Sequence, residues 1–254
     1  MMEVCPLTGF YSPAQRARFY AATGRRESVR TFQCAPDAAQ KSALSYAAAR
    51  VCLPGCRIEM SDCEDKKLYR TVPFVDTIIG TERYAALIAD EKAPHAAACL
   101  GISGEAFALE AVALGLGTCW VTGTYRRRAV DVRLQTGERL MGVMALGVPA
   151  EGSRGERRRK SLQAMCTGKP EDWPLWAYSA AECVRIAPSA MNLQPWKMNY
   201  AGRTLQLLRT GLGAHELDMG IAMLHMSLGA QEKEHVVFWG EGQTAATLLA
   251  EDRE

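Results

Sequence analysis

The sequence predicts an α+β fold, with helices packed around mixed or antiparallel sheets and an internal pseudo-duplication. Three observations point there. The 254 residues are 48% hydrophobic and only 23% charged, enough apolar side chain for a sizeable core without disulfide staples. Long apolar helical runs alternate with short stretches of period-two alternation, the pattern of helices packed on strands. The order helix, hairpin, apolar helix, strand occurs once in each half of the chain.

In chain order, "SPAQRARFYAAT" reads as a helix opened by Ser12 and Pro13, and "APDAAQKSALSYAAARV" as a second with Asp37 at its start. Between them lies "GRRESVRTF". The alternating pieces "CRIEM" and "KLYR" are expected to pair as strands, and "ERYAALIAD" is a strand or a short buried helix. "SGEAFALEAVALGLG" is apolar on almost every face, with alanines and glycines that permit close approach, so it is expected to be a covered central helix. "TCWVTG" and the strand "LMGVMALGVP" follow, then "AEGSRGERRRKSLQAM", an exposed connection. The pattern restarts with the helix "PLWAYSAAECVRI", the hairpin "WKMNYAGRTLQLLR" turning at Gly202, the apolar helix "ELDMGIAMLHMSLGA" and the strand "HVVFWG".

The formal net charge of +2 supplies no global field for nucleic acid, and the run Arg126 to Arg128 reads as surface, so no nucleic-acid partner is expected. No run approaches the roughly 20 apolar residues of a membrane span, and the N-terminus lacks the basic start and apolar core of a signal peptide. A cytoplasmic protein with no membrane partner is the expectation. The nine cysteines are odd in number and read as reduced thiols. Their densest group, Cys52, Cys56 and Cys63, has no CxxC pair and no histidine beside it, so no metal is expected. Cys119 sits among apolar neighbours and reads as buried and inert.

The stretch "RIAPSAMNLQPWKM" has two readings from its residues alone. Pro188 and Pro195 stiffen the backbone while Ser189, Asn192 and Gln194 offer hydroxyl and amide groups, either to a ligand or to a polar turn that feeds the strand of Trp196, Met198 and Tyr200.

Four segments together resemble one known family. "RRESVRTF" is similar to the RxSxR opening motif of the FMN-dependent nitroreductases, and "APSAMNLQPW" to their PSxxNxQPW segment. "GEAFALEAVALGLGTCWVTG" resembles their central helix and following turn, and "GERRRKSL" their basic C-terminal tail. The departure from the family pattern is that the Pro-Ser segment stands in the second half, while the arginine motif and basic tail stand in the first. The chain therefore resembles the duplicated, single-chain subgroup of the nitroreductase-like fold, a pseudo-dimer with halves at 1–168 and 169–254.

The resemblance implies an FMN cofactor, NADH or NADPH as co-substrate, and hydride passed by way of the flavin to a small electron-poor acceptor such as a nitroaromatic or quinone. The other reading it leaves is a flavin-binding or structural relative without turnover. It implies Arg26 and Ser28 on the ribityl and phosphate side, Arg30 at the polar edge of the ring, and Arg157 and Arg159 at the phosphate, with Lys160 in reserve. Guanidinium groups suit a phosphate because they bind it bidentately with charge assistance. Pro188, Ser189 and Asn192 are implied at the pyrimidine edge and ribityl chain, with Gln194 in support. Thr122 and Gly123 stand where family members offer a backbone N–H to the ring. No side chain is expected to act as nucleophile or general acid, because the cofactor carries the chemistry. With one copy of each motif, one FMN per chain is expected, in a monomer or a further homodimer.

Overall fold

The computed structural model describes residues 2–62, 68–71, 77–152, 158–211, 215–231 and 233–251. Its elements are α1 (Pro13–Thr23), β1 (Phe32–Cys34), α2 (Ala38–Val51), β2 (Cys56–Asp62), β3 (Arg83–Asp90), α3 (Ala96–Ala113), β4 (Gly117–Val121) and β5 (Glu138–Pro149). There follow α4 (Leu162–Met165), α5 (Leu175–Arg185), β6 (Trp196–Ala201), β7 (Thr204–Arg209), α6 (Glu216–Gly229), β8 (His235–Trp239) and β9 (Thr244–Ala250). They form two compact units, a continuous one of Arg25–Arg157 and a split one of Met1–Gly24 with Arg158–Glu254. The architecture is α+β.

In the continuous unit, β1, β5, β3 and β2 run in that order and β4 also pairs with β5. Every strand pairing is antiparallel, with Tyr84 opposite Ala145 across β3 and β5 and Cys119 opposite Ala145 across β4 and β5. The twelve residues of β5 make it the strand on which the sheet is assembled. β3 is buried from Tyr84 to Ala89 without alternation, as a strand covered on both faces must be. Its partner β2 was not the one expected. Cys56–Asp62 pairs with Arg83–Asp90 and not with the "KLYR" segment, of which Tyr69 bridges to Tyr125 and Lys67 lies outside the described residues. The ladder with β3 extends over the whole of β2, more pairing than the short segment offers.

The start of α2 follows its sequence. Asp37 Oδ1 accepts from Gln40 N at 2.8 Å and Gln40 Oε1 accepts from Asp37 N at 3.0 Å, a reciprocal cap. α3 is buried at every residue from Ala98 to Val112 and packs on α2, β2, β3 and β4. By length and composition it would pass for a membrane span, which the sequence reading did not anticipate; 83% of it is buried within the protein, the surroundings of a core helix. Gly104 is fixed by close approach, since a Cβ there would lie 2.3 Å from Cη2 of Trp120. The described cysteines are free thiols, Cys119 is 4% exposed with its thiol pushed up by burial, and Cys63 lies outside the described residues.

In the split unit, β6, β7, β9 and β8 form an antiparallel sheet in that order. The β6–β7 hairpin turns at Gly202, whose φ of 61° is left-handed, as the sequence predicts. β9 was not expected. α5 and α6 cross closely, and a Cβ on Gly229 would lie 2.5 Å from Cα of Ala180. The N-terminal residues belong to this unit: Cys5 N donates to Val237 O at 2.8 Å, Trp239 N donates to Glu3 O at 2.8 Å, and α1 packs on α6. The basic tail from Arg158 onward belongs here too, as Lys160 N donates to Gln194 Oε1 at 2.8 Å. The compact units thus divide at Gly24 and Arg158, where the expected halves divided at residue 168.

Replacing Gly104 by alanine is expected to lower the stability of the continuous unit by about 1–3 kcal/mol through overpacking against the Trp120 ring. Chemical denaturation followed by tryptophan fluorescence checks it, and an unchanged midpoint would contradict the contact.

Candidate functional site

The arginine motif enters the continuous unit as a short parallel partner of β4. Ser28 bridges to Thr118, and Val29 N donates to Thr118 O at 2.9 Å, with Val29 only 2% exposed as the apolar anchor. The chain then turns toward β1, where Arg30 O accepts from Ile79 N at 2.9 Å. Val29 goes to the core beside Thr118. Ser28 and Arg30 are half-buried. Arg30 Nη1 reaches Ser28 O at 3.4 Å.

Arg26 is 1% exposed. Its Nε lies 3.3 Å from Oε1 of Glu105, a fully buried carboxylate of α3, whose Oε2 accepts from Trp120 Nε1 at 2.9 Å. Nε, Nη1 and Nη2 of Arg26 are all buried without a hydrogen-bond partner among the described residues, so the contact with Glu105 is an ion pair and not a hydrogen bond. The Arg30 and Arg26 charges both act on Cys119, opposing the upward shift that burial gives its thiol, so both cations stand near β4. Thr122 and Gly123, just past the end of β4, are exposed, and a Cβ on Gly123 would meet nothing within 4 Å. The backbone there is open to an approaching group.

The Pro-Ser segment lies in the split unit, after α5. Pro188 is buried, and Met191, Asn192 and Gln194 hold left-handed φ angles of 52°, 54° and 46°. Such angles cost non-glycine residues on the order of 1 kcal/mol each and persist only where the surroundings impose them. Here the surroundings do. Ser189 Oγ accepts from Gln194 N at 2.9 Å, and Gln194, 1% exposed, donates from Nε2 to Arg185 O and accepts at Oε1 from Lys160 N, both at 2.8 Å. Asn192 accepts from Arg159 Nη1 at 2.5 Å and donates to Arg158 O at 2.9 Å, while Lys160 Nζ donates to Leu193 O at 2.8 Å and Gln194 O at 2.9 Å. The basic tail and the Pro-Ser segment are therefore braced against each other within one unit. Ser189, Asn192 and Gln194, expected to face a ligand or support one, have hydrogen bonds within the chain. Arg157 lies outside the described residues.

Three residues escaped the sequence reading. Glu105 had a visible signal, an acid inside an almost wholly apolar helix. Asp218, 3% exposed on α6, accepts from Ala190 N at 3.1 Å and holds the Pro-Ser loop to the helix; burial pushes its carboxyl up to about 6. His235 is held down to about 4 by burial. Its Nδ1 faces Lys233 O at 2.7 Å and its Nε2 faces Ser227 Oγ at 2.9 Å and Arg16 Nη2 at 3.4 Å, a pattern that fits a neutral ring with the proton on Nδ1. Among the described residues no cluster could hold a metal ion.

Residues 18–230 match the family model described as "Putative TM nitroreductase". The crystal structure of a Thermotoga maritima protein carrying the nitroreductase name is 22% identical, with a TM-score of 0.63 over 91% of this chain and 93% of that one. A Bacteroides fragilis nitroreductase with bound FMN is 14% identical, with a TM-score of 0.45 over 59% of this chain and 98% of its own. An FMN-dependent nitroreductase of Clostridium difficile is 15% identical, with a TM-score of 0.43 over 54% and 90%. Curated proteins give no match.

Asp218 and His235 give opposite pH slopes in the split unit. The raised carboxyl of Asp218 binds its proton more tightly when folded, so its contribution falls as pH rises from about 3.8 to about 6. The depressed imidazole of His235 makes stability fall as pH drops from 6.5 to about 4, because the unfolded chain takes up the proton first. Relative to wild type, Asp218→Asn is expected to gain in Tm as pH rises from 4 to 6, and His235→Gln as pH falls from 6.5 to 4. Melting curves across that range check both signs.

Proposed function

Because the chain belongs to this nitroreductase family, we propose that it is an FMN-dependent oxidoreductase that takes hydride from NADH or NADPH and reduces a small electron-poor acceptor such as a nitroaromatic or quinone. The observation that carries the cofactor reading is Arg26: a buried guanidinium none of whose nitrogens has a hydrogen-bond partner among the described residues is a fitted place for an oxyanion. A flavin phosphate meets that requirement. FMN, when bound, supplies hydride acceptance and release, and the protein's part is to bind, orient and shield.

Arg26 would hold the phosphate through its Nη fork, and the Ser28 hydroxyl would hold the ribityl side. Arg30 adds a cation that favours an anionic ring edge. The exposed backbone at Thr122 and Gly123 would present N–H groups to the ring, and glycine there leaves room for close approach. On the split unit, Arg159 and Lys160 are bonded to the Pro-Ser segment. We assign Pro188, Ser189, Asn192 and Gln194 to keeping the strained loop backbone in one conformation, since their side chains are bonded or buried within the chain. None of these residues acts as nucleophile or general acid in this reading.

Reconstitution with FMN is expected to give a yellow protein with one FMN per chain, bleached anaerobically by NADH or NADPH and recoloured by a quinone or nitroaromatic. Recovery of FAD, or of two flavins per chain, would overturn the reading. Arg26→Gln is expected to weaken FMN affinity between about tenfold and a hundredfold, the range for losing charge-assisted hydrogen bonds worth about 1.5–3 kcal/mol. Flavin fluorescence titration measures it.

A further inference from the structure

We propose that Glu105 is the resident counter-ion of Arg26, which lets the guanidinium stay buried while no phosphate is bound and makes the site able to empty without unfolding. This rests on the cofactor reading above. Glu105 is 0% exposed in the middle of an apolar helix, a position where an ionised carboxylate is strongly unfavourable unless paired. Its two oxygens have separate partners, Arg26 Nε at 3.3 Å and Trp120 Nε1 at 2.9 Å. The carboxylate therefore meets the guanidinium from the Nε side.

That side-on pairing divides the guanidinium. Glu105 compensates the charge from the Nε side as an ion pair without a hydrogen bond, and Nη1 and Nη2, the end that binds an oxyanion bidentately, likewise have no hydrogen-bond partner among the described residues. Without Glu105 the empty protein would hold an uncompensated buried cation. With phosphate bound, two anions share one cation, and the carboxylate repels the newcomer. Removing the carboxylate charge must therefore harm the empty form more than the loaded one, and by linkage it must raise the preference for a phosphate-bearing ligand. A pair that only stabilises the fold would lack this asymmetry.

Glu105→Gln tests it, because the amide oxygen still accepts from Trp120 while the charge is gone. Melting is followed in phosphate-free buffer alone, with riboflavin, and with FMN, which differ by the phosphate. The wild type is expected to be raised more by FMN than by riboflavin. Glu105→Gln is expected to melt lower than wild type without flavin, by on the order of 10 °C, and to show a larger FMN-over-riboflavin shift than wild type. The double variant Arg26→Gln with Glu105→Gln, which removes both charges, is expected to fold and to lose that preference.

An equal loss in Glu105→Gln under all three conditions overturns the inference and leaves a structural pair. If Glu105→Gln fails to fold without flavin, refolding in FMN but not in riboflavin supports the inference, and refolding in both or in neither overturns it. A wild type with no FMN preference overturns the cofactor reading and this inference with it. A wild-type preference that Glu105→Gln leaves unenlarged overturns this inference alone.

Discussion

A guanidinium kept out of water constrains how the arginine motif, α3 and β4 come together in the continuous unit. Arg26 is fixed from one side by Glu105, Glu105 also accepts from Trp120, and the Trp120 ring in turn occupies the space where Gly104 has no side chain. Three distant pieces of chain, the arginine motif, α3 and β4, are tied by one charge and its neutralisation. The close contact of Gly104 with Trp120 already limits how α3 can be rotated about its axis. The carboxylate adds a second limit, since turning α3 by one residue would carry Glu105 about 100° away from its ion pair with Arg26 and its hydrogen bond from Trp120.

The split unit solves a related problem by another route. Its Pro-Ser segment carries backbone conformations that non-glycine residues resist, and it holds them with hydrogen bonds from the tail, from its own serine and from Asp218. The loop's polar side chains are the bracing, so a rigid backbone and exposed Met191 and Leu193 are what it presents outward. Asp218 has a raised affinity for protons because it is buried, against the opposing effect of its bond from Ala190 N.

Local chemistry made much of this legible in the sequence. Caps at Ser12 and Asp37 and the turn at Gly202 each act over a few residues and appear where the pattern puts them, while the largely apolar α3 begins at Ala96, ahead of the expected run from Ser103. What escaped depends on distant partners. β9 reads "TAATLLA", with alanines where a strand signal would need branched side chains, and only its ladders to β7 and β8 make it a strand. The pairing of β2 with β3 and the docking of α1 on α6 join segments whose own periodicity names no partner. At the candidate site the arginine motif and the Pro-Ser segment were visible as motifs. That Asn192 and Gln194 bond the tail was not, because the sequence shows which groups can donate and accept but not what stands beside them.

The hydrogen bonds from Cys5 and Trp239 to opposite ends of the chain have a consequence in time. The continuous unit, Arg25–Arg157, is a single stretch, and all its strand pairings are complete once that stretch has been synthesised. The split unit begins earlier and finishes last, because α1 must wait for α6 and the Glu3 segment must wait for β8. Domains tend to fold as units as they emerge from the ribosome. The Glu3 segment and α1 are thus made before the continuous unit yet placed after it, and during synthesis the apolar face of α1 stays exposed while more than half of these 254 residues are added behind it, an interval in which a chaperone has something to hold.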